Sequence, residues 1–141
     1  MNILLIETEH SGHHISLYLN SIVDKLLLKN HKVSILTNKK VKYFPSFSYL
    51  RKKNIRILYL DDYKIFSRSN YLSILLNQII LYLKIKKKLN NNFEFDYIYF
   101  NTLSVIDKAL SLFGSPFKQT KFSGLMPSIN FHKSSKLTEF F

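Results

Sequence analysis

Asn2-Ile3-Leu4-Leu5-Ile6, running directly into Glu7-Thr8-Glu9-His10-Ser11-Gly12-His13-His14, is the stretch on which the fold turns. A short, almost wholly apolar run without alternation is what a parallel strand covered on both faces requires. The polar turn after it ends the strand. Ser11 can cap a following helix, in which Ile15, Leu19, Ile22, Val23, Leu26 and Leu27 recur at helical spacing from about His14 to Lys29. Asn30 then stands where a left-handed residue usually stops a helix, a conformation Asn tolerates better than most side chains.

The same alternation continues outward from this unit. Lys32–Thr37 reads as a second strand, Lys39–Tyr43 as a basic connection, and Pro45 opens a short helix to about Lys52. Asn54–Leu60 is a third strand ended by Asp61 and Asp62, and Ser69–Leu89 a longer helix stopped by Asn90, Asn91 and Asn92. Asp96–Phe100, Leu103–Phe113 and Gln119–Ser123 supply a fourth strand, a further helix and a fifth strand. Strands alternating with helices are best satisfied by a parallel sheet with right-handed crossovers, so the expected class is an α/β, Rossmann-like domain with helices on both faces. Residues 1–125 form that domain on this reading. Residues 126–141 lose periodicity and read as an irregular tail, the start of a truncated continuation.

Composition narrows the chemistry. The 141 residues suit one domain, and 46% hydrophobic with 15% aromatic content argues for a packed core. Without Cys there are no disulfides, thiolate nucleophiles or cysteine-ligated zinc. Glu7 and Glu9 interrupt the opening apolar run too early for a signal peptide, and Tyr71–Leu83 is too short and too polar to span a bilayer, so a cytoplasmic setting is expected. The formal charge of +12 favours a polyanionic neighbour: nucleic acid, anionic lipid or a phosphorylated substrate.

Ligands of open parallel sheets collect outside the carboxyl ends of the strands. Those ends are polar: Glu7-Thr8, Thr37-Asn38, Asp61-Asp62, Asn101-Thr102 and Ser123-Gly124. Gly12 lets backbone approach a ligand, and the helix start beyond it offers free N–H groups to an anion or sugar hydroxyl; a serine-capped helix with surface histidines is the plainer account. His10, His13 and His14 with Glu7 or Glu9 are also metal-ligand types, although so tight a turn rarely aims three rings at one ion, and no metal is assigned. With Gly only at 12, 114 and 124, neither the dinucleotide fingerprint nor the P-loop can be written onto the chain. Ser11, His13 and Asp24 lack the glycine elbow of a nucleophile triad.

The helix from Ser69 to Leu89 carries Ser73, Asn77, Lys84 and Lys88 on one narrow stripe and apolar residues over most of the rest. Such a helix is either buried between the sheet and a partner helix, or lies on anionic headgroups with Lys84, Lys86, Lys87 and Lys88 as a basic, membrane-facing end. No interleaving of aromatic and basic residues suggests a nucleic-acid motif.

Four segments together resemble the N-terminal domain of the retaining glycosyltransferases of family 4: Met1–Ile6, Ser11–His14, Lys29–Thr37 and Phe95–Phe100. Members of that family have two Rossmann-like domains facing a cleft, the GT-B fold, and often a Gly-His turn after the first strand, a Gly-His-x-Val step into the second and an Asp opening the fourth. Here Asn30 replaces the usual glycine of the second motif, and Asn101 stands where many relatives carry a His at the fourth strand tip. The resemblance implies the acceptor-binding half of a nucleotide-sugar-dependent, retaining hexosyltransferase making polysaccharide or glycolipid. It implies that Gly12, His13 and His14 approach the acceptor or donor phosphates, that Glu7, Asn38, Asn101 and Thr102 bind hydroxyls, and that no catalytic residue is assigned. The donor nucleotide sugar, and activity itself, would require a C-terminal donor-binding domain, and the protein would rest on the inner membrane face. Two readings from other classes remain: a stand-alone flavodoxin-like or receiver-like module, for which Asp61 and Asp62 only superficially resemble a phospho-acceptor pocket, and a non-catalytic basic membrane-associated protein.

Overall fold

The computed structural model describes residues 1–8, 18–67, 70–90, 94–117 and 120–126. Five strands, β1 (Asn2–Glu7), β2 (Lys32–Asn38), β3 (Arg56–Leu60), β4 (Tyr97–Phe100) and β5 (Lys121–Gly124), form one sheet in the order β3-β2-β1-β4-β5. Every pairing is parallel. Parallel neighbours need crossovers, supplied by helices α1 (Asn20–Leu28), α2 (Pro45–Arg51), α3 (Tyr71–Leu89) and α4 (Asp107–Phe113). This is a doubly wound α/β domain of Rossmann type. Its strand order departs from the 2-1-3-4-5 order of flavodoxin-like and receiver-like sheets.

The period-2 alternation of β1 divides the core. Leu4 and Ile6 face a layer built from α3 and α4, with Leu81, Tyr82, Ile85, Ile106 and Ala109 buried against them. Ile3 and Leu5 face the opposite layer, where Val23 of α1 and Phe47 and Leu50 of α2 are fully buried. Both faces of the central strand are therefore dry, which is why its sequence shows no polar alternation.

Local signals explain the boundaries. Asn30 takes φ 58°, and the N–H groups of Asn30 and His31 return to the carbonyls of Leu27 and Leu26, closing α1. Pro45 occupies the first turn of α2, where its missing N–H costs no helical bond. Asn70 caps α3 reciprocally with Ser73. The basic connection after β2 coils into a 3-10 turn, Lys39–Tyr43, that buries Val41.

The helix expected over Leu103–Phe113 is split into a short 3-10 turn, Leu103–Val105, and α4, because Ile106 leaves the helical region at φ −140° and ψ −4°. Gln78 of α3 replaces the missing cap. Its Oε1 accepts from the N–H groups of Lys108 (2.8 Å) and Ala109 (3.3 Å), and its Nε2 donates to Ser104 O and Asp107 Oδ1. The tail beyond residue 126 and the Gly12 turn lie outside the described residues.

Candidate functional site

Because all five strands run the same way, the polar residues that end them share one edge. Glu7 pairs in register with Thr37, and Asn101 extends β4 one step past Phe100, with its N–H on the carbonyl of Ile6 (2.9 Å). Alternation puts Glu7, Thr37 and Asn101 on the same sheet face, the one that carries α1 and α2. They occupy three adjacent tips, β2, β1 and β4. Between β1 and β4 the connections turn in opposite directions, which is the switch point where open α/β sheets hold ligands.

The chemistry at this edge is buried. Glu7 and Thr37 have no exposed surface, Asn101 retains 1%, and Thr8, Asn38 and Thr102 are also buried. The Asn101 amide donates to Glu7 Oε2, and the Asn38 amide donates to the carbonyl of Thr8, tying the tips of β2 and β1 together. Two acceptors are left over: Asn101 Oδ1 and the Thr37 hydroxyl have no hydrogen-bond partner among the described residues. Buried polar atoms are nearly always paired, so these two atoms, beside one buried carboxylate, are the polar groups of this edge whose partners lie beyond the described residues.

Of the residues expected to bind substrate, Glu7, Asn38, Asn101 and Thr102 come together at these tips. Gly12, His13 and His14 lie outside the described residues, as do His10 and Glu9 of the metal reading. Among the described residues no group of three His, Asp or Glu side chains is arranged to hold a metal ion. Asp61 and Asp62 end the edge strand β3 and are exposed, Asp61 standing 3.9 Å from Lys39. Lys84, Lys86, Lys87 and Lys88 lie on the last third of α3, whose C-terminal end points to the opposite edge of the sheet. No helix among the described residues is long and apolar enough to cross a membrane.

Three contributors were not singled out from the sequence. Thr37 was visible only as a strand end, and its register partner Glu7 gives it meaning. Gln78 holds the segment that follows Asn101 and Thr102, and its only sequence signal is a polar residue on the helix side that also carries Leu81 and Ile85. Gly124 brings β5 so close to β4 that a Cβ there would lie 2.8 Å from the Cβ atoms of Phe100 and Leu103 and 3.0 Å from Phe100 O. The approach lets Leu125 accept from the N–H of Leu103 (2.8 Å), fixing the loop behind the site.

Compared with known proteins, the chain matches no family model, no curated protein and no solved structure. The doubly wound parallel sheet and its polar switch point are thus the whole basis for assigning a class.

Proposed function

We propose that this domain binds a hydroxyl-rich ligand at the carboxyl edge of its sheet and serves as the acceptor-side half of a nucleotide-sugar-dependent glycosyltransferase. One observation carries the reading: the buried Glu7–Asn101 pair, flanked by a Thr37 hydroxyl and an Asn101 carbonyl that have no partner among the described residues. Sugar hydroxyls both donate and accept, and this cluster offers a carboxylate and an amide oxygen as acceptors and a threonine hydroxyl as either partner. Its side chains stand on sheet ends and are tied across strands, and because Glu7 and Thr37 are fully buried a ligand reaches them only as this edge opens. In this proposal Gly12, His13 and His14, which lie outside the described residues, also contact the ligand. The donor nucleotide sugar is held by a separate donor-binding domain, without which no sugar is transferred.

Saturation-transfer and chemical-shift NMR with a panel of mono- and disaccharides tests the binding half. Shifts confined to Glu7, Thr37, Asn38, Asn101 and Thr102 are expected. The transfer half is tested by adding a donor-binding partner and a nucleotide sugar. Neither acceptor affinity nor sugar transfer under those conditions would remove the proposal.

A further inference from the structure

Helix α3 runs from the carboxyl edge of the sheet to the amino edge and is apolar on two sides. Its inner side buries Gln78, Leu81, Tyr82 and Ile85 against the sheet and α4. On its outer side Leu72, Leu76 and Leu83 are 63%, 39% and 56% exposed, and Ile79 between them is half-buried. These four residues recur at intervals of four, three and four, which sets them in one straight stripe with the seam spacing of helices that pack knobs into holes. From Tyr71 to Leu83 the helix carries no charged side chain; its cations, Lys84, Lys86, Lys87 and Lys88, are gathered in its last turns. Beside the stripe Phe113 of α4 is 55% exposed, with its ring centroid 5.5 Å from that of Tyr82.

Apolar side chains exposed one at a time elsewhere, such as Leu28 and Tyr43, are ordinary on a protein surface; a continuous stripe is not. The four-three-four spacing reads the same from either end. Turned end for end, the stripe of a second copy sets Leu72 against Leu83 and Leu76 against Ile79, and symmetry repeats each contact, which is the self-complementarity a two-fold dimer requires. Charge selects the same orientation. A parallel pair would lay the two lysine clusters side by side, whereas the antiparallel pair holds them about 25 Å apart at roughly 1.5 Å per residue, well beyond a Debye length of about 8–10 Å. At about 200 Å² for a fully exposed large apolar residue, Leu72, Leu76, Leu83 and Phe113 expose about 400 Å² per copy. Their flanks, Tyr71, Leu75, Ile79 and Ile80, bring the total buried by two copies to about 1,200 Å², the lower end of specific interfaces.

We propose that the outer stripe of α3 is the interface of an antiparallel, two-fold dimer of this chain. A bilayer fits the stripe less well, because a helix lying on anionic headgroups carries cations along its polar flanks and Tyr71–Leu83 has none. The centres of protein–protein interfaces are depleted of charge in just this way. The seam contains none of Glu7, Thr37, Asn38, Asn101 and Thr102, so each copy keeps its own carboxyl-edge cluster and the dimer is independent of the sugar reading.

Sedimentation equilibrium of the full chain tests this, and a monomer–dimer equilibrium in the micromolar range is expected from an interface of this size. Leu76→Glu stands next to the two-fold axis and alters both copies at once, so it weakens the dimer by about a hundred-fold or more while the monomer keeps its circular dichroism and Tm. Leu28→Glu, on α1, leaves association unchanged. Because the chain has no Cys, disulfide trapping reads the register. The Leu72→Cys chain mixed with the Leu83→Cys chain cross-links under mild oxidation. Leu72→Cys alone does not, because its two Cα atoms lie at least about 16 Å apart across the antiparallel dimer, against a disulfide limit of about 7 Å. A chain that stays monomeric throughout the micromolar range, equal weakening by Leu28→Glu and Leu76→Glu, or Leu72→Cys linking to itself as readily as to Leu83→Cys would overturn the inference. The association of the unmodified chain needs no variant to fold, and saccharide binding at the carboxyl edge is read separately.

Discussion

Replacing Thr37 by Val separates what the site costs from what it does. The hydroxyl is fully buried and has no partner among the described residues, while Val reproduces its shape. Burying an unpaired hydroxyl costs about 1–3 kcal/mol by protein mutational measure. Thr37→Val should therefore stabilise the domain by about 1–2 kcal/mol. At roughly 2.1 cal/mol/K per residue, a chain of 141 residues has an unfolding entropy near 0.3 kcal/mol/K, so Tm should rise by about 3–6 °C. The same substitution removes a hydroxyl-to-hydroxyl contact, and saccharide affinity should fall about five- to ten-fold, as expected where function retains an unsatisfied group. Thermal and urea unfolding followed by circular dichroism, paired with NMR titration, read both quantities from one sample. A variant that loses 1 kcal/mol or more would refute the reasoning, because the hydroxyl would then be satisfied in the folded chain. A stabilised variant that binds saccharide as well as the parent would leave the energetics intact and take Thr37 out of the site.

Four further outcomes follow from particular contacts. Asn101→Leu removes the amide that donates to Glu7 and should cost about 1.5–3 kcal/mol in urea unfolding; the cost should shrink in a Glu7→Gln background, and a cycle with no coupling would deny the pair its importance. Gly124→Ala should cost about 1–3 kcal/mol, since the new Cβ meets the backbone oxygen of Phe100 as well as two side chains, and an unchanged Tm would contradict this. Gln78→Ala strips the cap from α4 and should lower stability by about 1–2 kcal/mol while hydrogen exchange quickens first at Lys108 and Ala109; slower or unaltered exchange there would count against a capping role. The Tyr49 hydroxyl, 2.7 Å from Asp24, together with Lys53 holds that carboxyl below its ordinary value of 3.8. The folded value is the lower one, so the stabilisation is present above the unfolded pKa and is lost as pH falls through the folded pKa; Tyr49→Phe should flatten that acid slope, and parallel curves would argue against the contact.

The fold was legible because its signals are local and repeated. The apolar run of β1, the Asn30 helix stop and Pro45 at the start of α2 each say the same thing about the chain at that point, and the sheet reproduces them. The site was only partly legible. Strand tips announce themselves as polar residues after apolar runs, which brought Glu7, Asn38, Asn101 and Thr102 into view. Which tips become neighbours depends on strand order, and no residue encodes that β4 rather than β3 lies beside β1. Thr37 was noted as a strand end but given no role for that reason, since a threonine ending a strand means little until a buried glutamate stands opposite it. Gln78 is harder still. A polar residue on a helix's apolar side is ordinarily a defect, and here it caps a helix some 30 positions later in the chain.

The two edges of the sheet impose different demands on the same strands. At the carboxyl edge the buried Thr37 hydroxyl and Asn101 carbonyl have no partner among the described residues, and a buried polar atom left unpaired costs stability. At the amino edge it gathers ten cations at helix ends and strand starts, some favoured there by the helix dipoles and the rest at a cost in self-repulsion. Each edge is locally unfavourable, and neither anomaly is needed to make the core, whose apolar layers are complete without them. A sheet that needed only to fold could have ended its strands in Ser or Gly and interspersed Glu among its lysines. The departures at these two poles are therefore the places where the sequence does more than its fold alone asks.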